Sequence, residues 1–451
     1  MGYNGDMWDR FIARKRWERR LSLWYHPRYE APSLGRIAHS LGMIALRGKR
    51  VLAQLAKEGR VKPGQLKNFP LVSLSDLALF HSRDYLERAG KRETLARIFG
   101  APEHEIKVDE ILSAERWAVS GTLAAARAAL AGPPLAFNLG GGFHHAEPDM
   151  GSGFCVFNDI GVAIAKLRQE GFDENVVIVD LDFHQGNGNI VGFLDDPKVH
   201  NYSLHGAIWT DKEGAGHYNR NMEGIVGDST YLKALEESLP EFLSRHDPKL
   251  VFYIAGHDVL ERDPLGEFSL SLAGAGRRDR LVLDLLQSRG LPGVITLGGG
   301  YTLQACQAAL NLVLAALGES ESLPFDPAAD QSSRFRKVAH DIDPSDPQFR
   351  SEADFKLSEA DFWPELETLR SSSGASAYQV EREMENCGYL EKLRSQGLED
   401  FRVTLDLETK EKYRVRVEAR HGGKAPLRTV ADFLYPPLEK GGWGDFAEAR
   451  K

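Results

Sequence analysis

The sequence predicts an α/β protein: a doubly wound, mostly parallel sheet flanked by helices, with a smaller C-terminal α+β extension. Three observations predict it. From Ala131 to Leu317, short apolar runs rich in β-branched residues alternate with segments whose apolar residues recur every three or four positions, the pattern of parallel strands joined by crossover helices. The strand candidates are apolar throughout, so both of their faces need cover. The chemically unusual residues stand at or just past the strand ends, where open α/β sheets bind their ligands.

Taken in order, the chain opens on Trp8, Phe11, Ile12 and Trp17 among Arg10, Arg14, Lys15, Arg16, Arg19 and Arg20, which describes an amphipathic helix. Asp6, Asp9 and Glu18 and the lack of a continuous apolar stretch favour a solvated helix packed on the domain over a targeting segment. A strand-like Leu21 to Tyr25 follows. Further strands are expected at Leu135 to Leu139, Val176 to Asp182, Val199 to Leu204, Leu250 to Ala255 and Val294 to Leu297. Helices are expected at Ala114 to Leu130, Asp159 to Glu170, Thr230 to Arg245, Gly276 to Ser288 and Leu303 to Leu317. Four polar loops then converge on one rim: Gly140 to His145, Asp180 to His184, Gly256 to Asp258 and Gly298 to Tyr301.

From Pro324 the composition turns to Asp, Ser and Pro, then crosses a Ser371 to Ser376 tract, which places a domain boundary near Leu323. Residues 1–323 form the unit that carries chemistry, and 324–451 the extension. Within the extension Phe401, Val403, Leu405 and Leu407 alternate with polar residues, as do Tyr413, Val415 and Val417, so a β-hairpin with one buried face is expected. No chemistry is legible there; packing, or homo-oligomer formation, is the expected role.

Whole-chain quantities exclude several classes. With 56 Lys and Arg against 65 Asp and Glu, the net charge of −9 gives no reason to expect nucleic acid. Cys155, Cys306 and Cys387 form no CxxC pair, so neither a disulfide framework nor a Cys-type zinc site is expected, and a reducing cytoplasm fits. Apolar runs fall short of the roughly 18 to 20 residues that a membrane span needs, so no membrane partner is expected.

The rim carries the chemistry. Asp180, Asp182 and His184 at i, i+2 and i+4 would share one face of a strand, and two carboxylates with an imidazole become favourable together around a divalent cation such as Zn²⁺. Asp258, past the end of another apolar strand, could supply the missing ligand; a solvated strand terminus is the alternative that spacing alone leaves open. His144 and His145, after a triple glycine, are candidates for general base and acid beside such a metal. Tyr301, after Gly298 to Gly300, offers a phenol to a developing oxyanion, although a lone tyrosine is more often a core residue.

These residues carry a resemblance to the histone deacetylase family of metalloamidohydrolases, with its arginase-related α/β fold. The matching motifs are Gly140-Gly-Gly-Phe-His-His-Ala146, Gly153-Phe-Cys-Val-Phe-Asn-Asp159, Asp180-Leu-Asp-Phe-His-Gln-Gly-Asn-Gly188, Ala255-Gly-His-Asp258 with Asp263-Pro-Leu-Gly266, and Gly298-Gly-Gly-Tyr301, in family order across roughly Leu21 to Leu323. The resemblance implies that Asp182, His184 and Asp258 bind Zn²⁺, which polarises an amide carbonyl and lowers the pKa of a bound water toward about 7. It implies that His145 takes the proton of the attacking water and returns it to the leaving amine, that His144, oriented by Asp180, stabilises the tetrahedral state, and that Tyr301 donates to the oxyanion. Gly153 and Phe154 match the acyl channel. A monovalent cation, usually K⁺, is implied near Asp180, Asp182, His184, Ser203 and Leu204, in line with Tyr202-Ser-Leu-His205.

Two departures bear on function. Gln185 and Asn187 stand where many members carry a second His and an Asp; Asn187 can still accept from an imidazole N–H but lacks a carboxylate's charge. This version resembles class IV histone deacetylases and bacterial relatives, and lowered activity on acetyl-lysine or preference for longer acyl groups is expected. Leu265 stands near where polyamine-selective relatives carry an acidic gatekeeper, which weakens an acylpolyamine amidohydrolase reading. The reading is then a zinc-dependent deacylase of acylated lysine peptides or small acylated amines, with a catalytically weak acyl-lysine binding protein as a third class. A binuclear arginase-type hydrolase is disfavoured, since Gln185 and Asn187 are poor ligands for a second metal.

Overall fold

The computed structural model describes residues 21–342 apart from 63, 133, 215, 320 and 321, and then 393–395, 397–409, 412–421 and 428–435. The helix expected around Trp8 to Arg20, the Ser371 to Ser376 tract and the tail beyond Tyr435 lie outside the described residues.

Seven strands form the main sheet: β1 (Leu21–Trp24), β2 (Leu135–Asn138), β3 (Val176–Asp180), β4 (Val199–His205), β5 (Tyr218–Asn221), β6 (Leu250–Ile254) and β7 (Gly293–Thr296). Their order is β1-β2-β7-β6-β3-β4-β5, and every neighbouring pair runs parallel. Every residue of β2, β3, β4, β6 and β7 is buried. Alternate residues feed opposite faces: Val177, Val179, Val251 and Tyr253 join one apolar cluster, while Val176, Ile178, Leu250 and Phe252 join the other.

Helices cover both faces. Those of the described residues are α1 (Pro32–Ser40), α2 (Arg47–Lys57), α3 (Leu74–Leu77), α4 (Arg83–Ala89), α5 (Arg92–Phe99), α6 (Val108–Ala131), α7 (Asp159–Gln169), α8 (Asn187–Gly192), α9 (Asp228–His246), α10 (Leu272–Ser288), α11 (Leu303–Leu317) and α12 (Ser333–Ile342). Residues of α2, α9, α10, α11 and α12 pack on one face, and residues of α4 to α7 on the other. From β3 the chain winds outward to β4 and β5, then returns across β3 to β6 and β7, so the order reverses at β3. Such a reversal opens a crevice beyond the carboxyl ends of the strands.

Several sequence expectations change. The strand expected to run to Asp182 ends at Asp180, so Asp182 and His184 sit in the loop beyond it rather than on one strand face. The cause is local: Asp180 Oδ1 accepts the Asp182 N–H, and Asp182 Oδ1 accepts the His184 N–H, turning the chain out of the ladder. β5, Tyr-Asn-Arg-Asn, carries no apolar pattern and was not legible; it is an edge strand held by pairing with β4. Past Leu323 the chain stays on the sheet's helical layer. Gln54 donates to the Pro324 carbonyl and accepts from the Asp326 N–H, Lys57 pairs with Asp326 at 2.6 Å, and Phe335 and Val338 of α12 are buried in the core.

The extension holds a separate antiparallel sheet of β8 (Leu398–Thr409), β9 (Lys412–His421) and β10 (Arg428–Tyr435), with β9 central. β8 and β9 coincide with the two alternating runs, and β10 adds a third strand beyond the expected hairpin. In register, Val403, Leu405 and Leu407 face Val417, Val415 and Tyr413.

Candidate active site

The loops after β2, β3, β6 and β7 meet in the crevice, and glycine makes the close approach geometrically feasible. Gly153 has φ +53°, and a Cβ there would strike the His145 ring; Gly298 has φ +58° and sits against Ile254 and Asp182. Phe154 itself holds φ +64°, a left-handed conformation that costs a bulky side chain of order 1–3 kcal/mol and marks a position constrained by more than packing.

The ligand atoms of Asp182, His184 and Asp258 lie within 4.8 Å of one another. His184 Nδ1 is 3.0 Å from Asp258 Oδ2 and 3.3 Å from Asp182 Oδ1. The outer carboxylate lone pairs are already used: Gly299 N–H donates to Asp182 Oδ2 at 2.6 Å and Phe183 N–H to Asp258 Oδ1 at 3.0 Å. Burial, and then the Asp182 charge, pushes Asp258 up to about 7, while Asp182 and Asp258 overcome burial to raise His184 to about 10. Two carboxylates and one imidazole, buried and aimed inward, are thus a donor set short of positive charge, and they fit a divalent metal that leaves a coordination position open.

Beside it stand two imidazoles in opposite states, with ring centroids 4.1 Å apart and each ring about 4% exposed. His144 donates through Nδ1 to Asp180 Oδ2 at 2.7 Å; burial opposes its charge, but Asp180 and Asp182 prevail and raise it to about 9. His145 meets Asn187 Oδ1 through Nδ1 at 2.6 Å, and burial followed by the His144 charge holds it well below the usual histidine range. Environments that push neighbouring groups apart in this way separate a neutral base from a cationic partner.

Tyr301 is anchored by its backbone: its N–H donates to Asp263 Oδ2 at 2.9 Å, and its carbonyl accepts from Ile44. Burial, then Asp258 and Asp182, raise its phenol well above the usual range, so it remains a donor. Arg47, on α2, holds the loop leading to Tyr301 by donating to the carbonyls of Leu297, Gly298, Gly299 and Gly300. A cavity of 270 Å³ adjoins, lined by Phe143, Phe154 and Tyr301 together with Met43, Arg47 and Glu115.

Of the residues expected to hold a monovalent cation, Asp180 on β3 is the register partner of Ser203 on β4, one residue before Leu204. Leu265 lies on the loop from Asp263 to Gly266, whose glycine abuts the Asp258 carbonyl. Gln185 is engaged elsewhere than in the ligand trio; its Oε1 accepts the N–H groups of Trp209 and Thr210, each at 2.8 Å. Trp209 then stacks on His145 with centroids 4.0 Å apart. Sequence reasoning missed Trp209, Arg47 and Glu147, whose Oε1 accepts from Asn187 Nδ2 at 2.7 Å. Only Glu147, two residues past the His pair, carried a local signal.

The chain matches the histone deacetylase domain over residues 43–317. An uncharacterized protein of Picosynechococcus sp. is 36% identical over 282 residues, spanning 61% of this chain and 91% of that one. Histone deacetylase 2 of Arabidopsis thaliana is 34% identical over 263 residues, 56% of this chain and 67% of the relative. A crystal structure of the HDA15 HD domain shares the fold with a TM-score of 0.53, at 24% identity, over 72% of this chain and 93% of its own. With the domain match covering more than half of its length, this chain belongs to the histone deacetylase family.

Proposed function

We propose that this chain is a zinc-dependent amidohydrolase that removes acyl groups from lysine side chains or similar amines. Family membership supports deacetylase chemistry in general. The observation that carries the finer reading is the clustered trio Asp182, His184 and Asp258 set beside two buried imidazoles, His144 on the Asp180 carboxylate and His145 on the Asn187 amide. The trio would hold Zn²⁺, which when bound polarises the scissile carbonyl and makes water a better nucleophile near neutral pH.

The remaining steps belong to this chain's own side chains. His145, neutral and with Nδ1 engaged by Asn187, receives the proton of the attacking water on Nε2 and passes it to the leaving amine. His144, kept positive by Asp180, places a fixed charge near the developing negative charge without giving up its proton. Tyr301 donates its phenol O–H to the oxyanion. Gly153, Phe154 and Trp209 wall the acyl-lysine channel, and the adjoining cavity supports acyl groups longer than acetyl. The apolar Leu265 offers nothing to a second ammonium, which weighs against acylpolyamines. Asp180, Asp182, His184, Ser203 and Leu204 would hold a structural K⁺.

The test is hydrolysis of acetyl-, octanoyl- and myristoyl-lysine peptides and acetylputrescine by zinc-loaded protein beside Tyr301→Phe. The reading predicts cleavage of acyl-lysine, with kcat reduced about 10²- to 10³-fold in Tyr301→Phe, the size expected for one lost oxyanion donor. Bound zinc with no acyl-lysine cleavage overturns it and leaves an acyl-lysine binding role.

A further inference from the structure

We propose that Glu147 is a positioning residue that fixes the carboxamide of Asn187 and thereby sets which nitrogen of His145 carries the proton. The inference deepens the reading of His145 as the acceptor of the water proton, and rests on it. The argument needs only donors and acceptors. Asn187 Nδ2 is 2.7 Å from Glu147 Oε1, and Asn187 Oδ1 is 2.6 Å from His145 Nδ1. A carboxylate can only accept, so the amide must turn its NH₂ to Glu147 and its carbonyl to His145. A carbonyl also can only accept, so Nδ1 must be the protonated nitrogen, and Nε2 of the neutral ring keeps its lone pair.

His144 has no such dependence, because its partner Asp180 is an acceptor in either orientation. At His145 the partner is an amide, and turned about its axis it would present NH₂ to Nδ1. The imidazole would then have to accept there and carry its proton on Nε2, where a base needs a lone pair. Asn187 is 3% exposed, so bulk water cannot arbitrate between the two orientations. Its other contact, Nδ2 to the His145 carbonyl at 3.5 Å, favours the same orientation but lies at the limit of a hydrogen bond. Glu147 is itself held, since its N–H donates to the Met150 carbonyl at 2.8 Å and its carbonyl meets His81 Nδ1 at 3.1 Å.

The test combines a proton-position measurement with kinetics on the full zinc-loaded chain. Two-bond ¹⁵N–¹H correlations of ¹⁵N-histidine protein, with His145 signals assigned by their loss in His145→Phe, should show Nδ1–H in wild type. They should show partial or complete transfer to Nε2–H in Glu147→Ala, and a mixture in Glu147→Gln, whose amide can present either face. In acyl-lysine hydrolysis Glu147→Ala should lower kcat about 10- to 100-fold with little change in KM. In an Asn187→Asp background, where residue 187 has no amide to turn and faces Glu147 as a second carboxylate, Glu147→Ala should not lower kcat. An unchanged Nδ1–H tautomer in both Glu147 variants, or equal loss in the two backgrounds, overturns the proposal. If the tautomer shifts while wild type hydrolyses no acyl amide, the positioning role stands and the deacylase reading falls.

Discussion

Glu115 illustrates what the interior does to a single carboxyl. It is 3% exposed, accepts the Val156 N–H at 3.2 Å, and burial pushes it up to about 8. Between its ordinary value of 4.5 and about 8 the folded chain keeps a proton that the unfolded chain has released, so stability falls as pH rises through that window. Glu115→Gln keeps an acceptor for Val156 and has no charge to bury. Its advantage in Tm over wild type should therefore grow from pH 5 to pH 8; a constant offset would contradict the account. His81 acts on the other side. Burial holds it at about 4 against an ordinary 6.5, so the unfolded chain binds the extra proton in that window. Its contribution is full above pH 6.5 and is lost as pH falls toward 4. At this scale the sequence was legible where polar residues follow the carboxyl ends of apolar strands: Asp182, His184 and Asp258, whose ligand atoms the structure brings together. Trp209 was not, because its role comes from Gln185, 24 residues away, holding its loop over His145.

Among elements, strands buried on both faces were legible because continuous apolar runs have few other uses. β5 was not, since edge pairing requires nothing of its side chains. The helices before Val108 were also missed: α3 to α5 span only 4, 7 and 8 residues, too few to show a long periodicity. The least legible link is Arg47 of α2, whose partners lie about 250 residues away in sequence. Arg47→Met should leave the carbonyls of Leu297, Gly298 and Gly300 without that donor, while the Gly299 carbonyl keeps the His257 N–H. Loss of roughly 3 kcal/mol or more follows from stripping buried acceptors of a charged partner, and kcat should fall because Tyr301 rides on that loop. Denaturant unfolding and turnover measured together check this; normal kcat with lowered stability would separate Tyr301 placement from Arg47.

For the whole molecule, the parallel sheet and its reversal at β3 explain why residues from four distant loops meet in one crevice. The composition change at Pro324 marked a boundary, yet Asp326, Phe335 and Val338 are anchored on α2 and the core below it. A chain ended at Leu323 should therefore unfold several degrees below the intact protein, whereas one ended at Ile342 should keep its Tm; equal melting of both would contradict the packing argument. Among the described residues no helix is long and apolar enough to cross a membrane. The central claim is that the Asp182, His184 and Asp258 trio makes this chain a metal-dependent amidohydrolase, and zinc titration of metal-stripped protein tests it most directly, with acyl-lysine hydrolysis and zinc stoichiometry read in parallel for wild type and Asp258→Ala. The account predicts that one zinc per chain restores turnover in wild type and that Asp258→Ala loses both; turnover that survives metal removal, or zinc held equally well without Asp258, would contradict it.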